Sequence, residues 1–85
     1  MPYIVELNSA AQRDYSNLEH STSTRVSEVV DTLADNPRPP GCVKLTGKGR
    51  EYRVRVGAYR VIYTIDDRMR LVSVKRIQHR REAYR

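Results

Sequence analysis

The period of the apolar positions changes twice along the 85 residues. Tyr3-Ile4-Val5-Glu6-Leu7 is β-branched and alternating, the pattern of a first strand, and it stops at Asn8-Ser9. Ser9 and Gln12 have capping-box spacing, and Ala10, Ala11, Tyr15 and Leu18 then share one face of a helix predicted to run to about His20. The Ser-Thr run at 21–24 supplies the next cap. From there Val26, Val29, Val30, Leu33 and Ala34 recur at i, i+3, i+4, i+7 and i+8, while Arg25, Ser27, Glu28, Asp31 and Asp35 take the other face. Asn36-Pro37 ends this second helix, because proline disfavours helical geometry in the residue before it.

Beyond the stiff connector Pro37-Arg38-Pro39-Pro40-Gly41 the period becomes two. Short strands are predicted over 43–45, 51–56, 59–65 and 71–77, punctuated by turns at Gly47-Lys48-Gly49, Gly57-Ala58 and Asp66-Asp67. The expected fold is α+β: an N-terminal strand, a two-helix hairpin, then a three- to four-stranded antiparallel sheet with the helices on one face and no cover on the other. A chain of this length encloses one core, so residues 1–85 form a single domain.

Composition narrows the class. There is no Trp or Phe, and six Tyr supply all the aromatic surface. The single cysteine, Cys42, rules out an internal disulfide framework and reads as a small filler; with no apolar run of membrane-spanning length and no secretory pattern at Met1-Pro2-Tyr3, the expectation is a soluble cytoplasmic protein without membrane contact. The net charge of +6 is unevenly placed. Residues 1–41 carry three Arg against six acids, a balance of −3, and residues 42–85 carry thirteen bases against four acids, a balance of +9. Thirteen of the sixteen bases are arginine, whose planar fork suits phosphate, so the second half points to a phosphate-rich partner.

Alternation puts Arg53 and Arg55 on one side of their strand, roughly 7 Å apart, opposite Tyr52, Val54 and Val56. Arg60 follows immediately after the Gly57-Ala58 turn. The ending Gln78-His79-Arg80-Arg81-Glu82-Ala83-Tyr84-Arg85 gathers arginines, a histidine and a tyrosine, residue types for phosphate binding and proton transfer. His20 reads as structural or solvated. No metal-ligand spacing or nucleotide fingerprint is present, so no metal or cofactor is expected. Metal-free phosphodiester cleavage is feasible for RNA, whose 2′-hydroxyl can attack the adjacent phosphorus, and not for DNA, which has no internal nucleophile. A plain nucleic-acid-binding module is disfavoured, since neither an aromatic RNA-binding pair nor a recognition-helix pattern occurs.

The runs Asn36-Pro37-Arg38-Pro39-Pro40-Gly41, Lys44-Leu45-x-Gly47, Tyr52-Arg53-Val54-Arg55-Val56-Gly57-x-Tyr59-Arg60-Val61-Ile62-Tyr63 and His79-Arg80-Arg81-Glu82-Ala83-Tyr84-Arg85 together resemble the RelE/ParE toxin superfamily of type II toxin–antitoxin modules. The resemblance implies a RelE-like microbial-RNase-type fold. It also implies either a ribosome-dependent endoribonuclease that cuts mRNA in the A site, or a ParE-like inhibitor of DNA gyrase. The C-terminal motif looks like the ribonuclease branch, with 2′,3′-cyclic phosphate and 5′-OH products. On this chain the resemblance assigns Arg60 and Arg80 to the scissile phosphate and Tyr84 to base stacking or proton transfer, with Arg81 and Lys44 as further phosphate contacts. Arg53 and Arg55 fall where relatives commonly carry lysines; a guanidinium stays charged and serves electrostatic stabilisation rather than base catalysis. A base must then come from His79 or Tyr84; Tyr84 is favoured as substrate stacker or base and His79 as the acid, the alternative being that His79 only bonds the backbone at the end of the last strand. The implied partners are a cognate antitoxin, the ribosome with its mRNA, and operator DNA only through the antitoxin.

Overall fold

In a computed structural model describing residues 2–47 and 49–83, the elements are β1 (Ile4–Leu7), α1 (Ser9–Ser16), α2 (His20–Asp35), β2 (Val43–Lys44), β3 (Glu51–Val56), β4 (Tyr59–Asp66), β5 (Leu71–His79) and α3 (Arg80–Ala83). The strands make one sheet in the order β1-β5-β4-β3-β2. β2 to β5 form the expected antiparallel meander, whereas β1 joins as a fifth strand, parallel to β5. A hairpin forces its strands antiparallel; β1 reaches the others only through the long helical crossover, which leaves its direction to packing.

The helices cover one face. Ala11 of α1 and Val26, Val30 and Leu33 of α2 are buried against Val54, Val61, Tyr63, Val72, Val74 and Ile77 of the sheet. Lacking Phe and Trp, this core centres on Tyr63, which is fully buried and donates its hydroxyl proton to the Pro37 carbonyl at 2.8 Å. Burial first, and the nearby Cys42 thiol second, push that hydroxyl well above the ordinary tyrosine value, so it remains a donor. The bond fastens the proline connector to the middle of the sheet.

Local signals shift by a residue or more from the sequence reading. Asn8, still extended at ψ 176°, caps α1 by accepting the Ala11 N–H at 2.9 Å, in place of the expected Ser9. Gln12 turns its amide to the Leu7 carbonyl. α1 closes at Ser16, so Leu18 packs on the core from the connection rather than from the helix. α2 starts at His20, ahead of the Ser-Thr run; Ser23 and Thr24 donate their hydroxyls back to the His20 carbonyl inside the first turns.

Two carboxylates tie distant parts of the chain together. A register shift in the β4–β5 ladder falls between Ile62 and Tyr63, beyond the reach of β1. There Asp14 of α1 accepts from the Ile77 N–H at 2.9 Å and pairs with Arg76 at 2.8 Å. At the other end of the sheet Asp67 accepts two bonds from Arg38, at 2.9 and 3.2 Å, and one from the Tyr3 hydroxyl at 2.6 Å.

Asp67 is lowered from the ordinary 3.8 to about 2, first by Arg38 and then by Tyr3. Burial alone would raise Asp14, but its bonds to Arg76 and the Ile77 amide outweigh that and lower it. Both groups are more acidic folded than unfolded. Their stabilisation is therefore complete above about pH 4 and is lost as pH falls toward 2. Acid unfolding followed by circular dichroism should flatten over that window in Asp67→Asn; a curve parallel to the wild type would refute the assignment.

Candidate functional site

β-strand parity and register build the site. The Gly57-Ala58 turn has positive φ at its first residue, Gly57 at 60°, the pattern of a type II′ hairpin, and pairs Val56 with Tyr59. Every following pair is then set. Val54, Val61 and Ile77 form one row toward the helices, and the next row, Arg55, Arg60 and Gln78, projects to the uncovered face. Arg53 and Ile62 stand one row further on the same face. Arg55 and Arg60 are thus directly opposed, with Cβ atoms about 4.5–5.5 Å apart, an arrangement that is repulsive between like charges.

The chain end completes the cluster. After β5 the Arg80 N–H bonds the Ala58 carbonyl at 2.8 Å, stapling the start of α3 to the β3–β4 turn. A cleft of about 370 Å³ opens there, lined by Arg55, Gly57, Ala58, Tyr59, Arg60, Arg80 and Arg81. Among the described residues its lining holds four guanidinium groups and no carboxylate. Arg53 reinforces the field one row away, and its Nε is buried with no hydrogen-bond partner among the described residues.

The other sequence-predicted residues stand apart or outside. His79 pairs with Tyr59 in the row that faces the helix side, its ring edge-on to Tyr59 at 5.1 Å between centroids, and its Nδ1 accepts the Arg81 N–H at 3.2 Å. His79 thus makes a backbone bond at the end of β5 and is not among the residues that line the cleft. Lys44 pairs with Tyr52, which also faces the helix side, and lies in a separate hollow of about 520 Å³ with Arg38, Arg50 and Asp67. It does not join Arg60 and Arg80. Tyr84 lies outside the described residues. Gln78, quoted in the C-terminal run but not singled out as a site residue, falls in the arginine row through the alternation of β5, one residue after the buried Ile77.

Three comparisons bear on this arrangement. A family model described as the ParE toxin of the type II toxin–antitoxin system parDE matches residues 5–84. Toxin RelE1 of Methanocaldococcus jannaschii is 32% identical over all of this chain and 98% of its own, and toxin RelG of Mycobacterium tuberculosis is 31% identical over all of this chain and 99% of its own. The archaeal RelE–RelB complex from Pyrococcus horikoshii contains a chain that superimposes with a TM-score of 0.83 at 28% identity, covering 94% of this chain and 97% of that one.

Repulsion between opposed arginines has a measurable consequence. An anion seated between them relieves it, so sulfate should raise the melting temperature more than sodium chloride at equal ionic strength. Arg55→Thr should stabilise the protein at low salt by about 0.2–1 kcal/mol and remove most of the sulfate-specific rise. Equal responses of wild type and variant to sulfate would contradict an anion site here.

Proposed function

The chain belongs to the RelE/ParE superfamily of type II toxin–antitoxin toxins, and on that premise we propose that it is a ribosome-dependent endoribonuclease that cleaves mRNA through the message's own 2′-hydroxyl. The observation that carries the reading is the convergence of Arg55, Arg60, Arg80 and Arg81 on one open cleft. Such a cleft offers fixed positive charge to a phosphodiester whose negative charge grows during attack.

In the proposed step the 2′-oxygen attacks the adjacent phosphorus while a base takes its proton. The P–O5′ bond breaks, and the 5′-oxygen acquires a proton. The products are a 2′,3′-cyclic phosphate and a 5′-hydroxyl. Arg60 and Arg80 hold the non-bridging oxygens, Arg53 and Arg55 stabilise the added charge, and Arg81 contacts the neighbouring backbone. None of these guanidinium groups serves as the base. Tyr84 takes that role or stacks on the substrate base. His79, with Nδ1 engaged by the backbone, anchors α3, and the open cleft lets solvent protonate the leaving oxygen.

RelE of the Pyrococcus complex is bound to RelB, and we extend that to this chain: a protein antitoxin neutralises it by covering basic residues of the cleft, and any operator contact belongs to the antitoxin. The matching model is described as a ParE toxin, which favours a second reading, inhibition of DNA gyrase without RNA cleavage. Cytoplasmic action suits both, and among the described residues no helix is long and apolar enough to cross a membrane.

Purified ribosomes carrying a message separate the two. Primer extension should show cuts within the A-site codon, and Arg60→Ala and Arg80→Ala should each slow cleavage by about 100-fold or more. Intact message together with loss of gyrase supercoiling would establish the second reading instead.

A further inference from the structure

A second hollow, of about 280 Å³, adjoins the β3–β4 turn on its helix side, lined by Arg25, Glu28 and Val29 of α2 with Arg55, Val56 and Gly57 of the sheet. Arg55 and Gly57 line both this hollow and the arginine cleft, so the two are continuous around the turn. α2 is an amphipathic helix whose polar side faces solvent, yet Arg25 reaches across to the turn. A Cβ placed on Gly57 would stand 3.2 Å from one Nη of Arg25, 3.3 Å from the other and 3.6 Å from Cζ. The two terminal nitrogens thus approach a glycine that has no side chain to exclude them.

Charge pairing does not hold Arg25 there. Among the described residues it makes no hydrogen bond or ion pair, and Glu28, three residues along the same helix, lies beyond ion-pair distance. An arginine with unused donors, parked beside Arg55 in a hollow with Val29 and Val56 as apolar wall, has the features of a backbone-phosphate contact. Glu28 opposes any dense accumulation of negative charge, which restricts the hollow to a single phosphate.

We propose that Arg25 and the Arg55–Gly57 strip form a second phosphate subsite, which binds the phosphate next to the one in the cleft, so that a single RNA strand passes over the β3–β4 turn. The proposal rests on the reading of the cleft as an RNA site. Arg25 positions the strand and takes no part in bond breaking. Its loss therefore weakens binding and leaves the chemical step alone. Gly57 sets the clearance, since any side chain there displaces the guanidinium.

The test measures binding of a short RNA, 2′-O-methylated throughout to prevent cleavage, by fluorescence anisotropy over a range of salt. One fewer phosphate contact lowers the slope of log K against log salt by about 0.7 for a single strand. Arg25→Ala should show that decrease and Arg25→Lys should restore it, while Glu28→Gln tightens binding. On programmed ribosomes Arg25→Ala should raise KM roughly tenfold, a single charge-assisted hydrogen bond, with kcat unchanged. A normal slope in Arg25→Ala, with the slope reduced in Arg60→Ala, overturns the subsite and leaves the cleft intact. Unaltered slopes in both variants, with no cleavage by the wild type, overturn the RNA reading itself. Because Arg25 is exposed on the helix surface, its variants should melt with the wild type; Gly57→Ala, at a positive φ, is the secondary variant and should match Arg25→Ala in slope.

Discussion

The row Val54, Val61 and Ile77, buried under the helices, is the constraint on which the uncovered face depends. Side chains of a strand alternate, so burying this row obliges its neighbours Arg55, Arg60 and Gln78 to project the other way. A slip of one residue in the β3–β4 ladder would bring arginines under α2 and valines into water, two penalties at once. The two-residue turn at Gly57 fixes the register locally and the core fixes it globally. The side on which Arg55 and Arg60 project is thus set by the buried row beside them, and a core built largely from valine suffices to specify it.

The second half of the site comes from the chain end, and its placement depends on how β5 is held. β1 supports only the first part of β5, from Leu71 to Val74. Past that point the edge is taken over by α1, where Asp14 accepts the Ile77 N–H and draws Arg76 to itself. This assigns Arg76 to the helix contact and removes its charge from the open face. β5 then continues to His79, whose ring packs on Tyr59 and whose Nδ1 receives the first turn of α3. The acidic first half of the sequence therefore has a structural use: one of its carboxylates anchors the strand that delivers Arg80 to Ala58.

Much of this was legible in the residues, and what was not has identifiable causes. The helix face Val26, Val29, Val30 and Leu33, the strands at 51–56 and 59–65, and the shared side of Arg53 and Arg55 all follow from period alone. The parallel pairing of β1 does not, because a helical crossover carries no register information. Asn8 and Ser9 are both good caps, and the choice fell to the residue still in strand geometry. Lys44 and His79 look like partners of the arginines in one dimension; parity sends both to the helix side. Arg25 lies on the polar side of its helix by any periodicity count, and only the bare Cα of Gly57, thirty-two residues away, shows where it reaches.

The same features explain why this small domain carries a repulsive surface at all. Arg55 stands directly opposite Arg60, and like charges so placed repel unless an anion lies between them. A lysine pair would lessen the geometric demand, since an ammonium is a flexible point charge; the guanidinium fork instead requires oxygens in fixed positions, which a phosphodiester offers. The antitoxin carboxylates that the proposed function brings to this face would relieve the same repulsion. On the proposed function, RNA and an antitoxin would compete for one electrostatic gain on one face, and neutralisation would require no rearrangement of the sheet, only an occupant whose carboxylates reach the arginine row before a phosphate does.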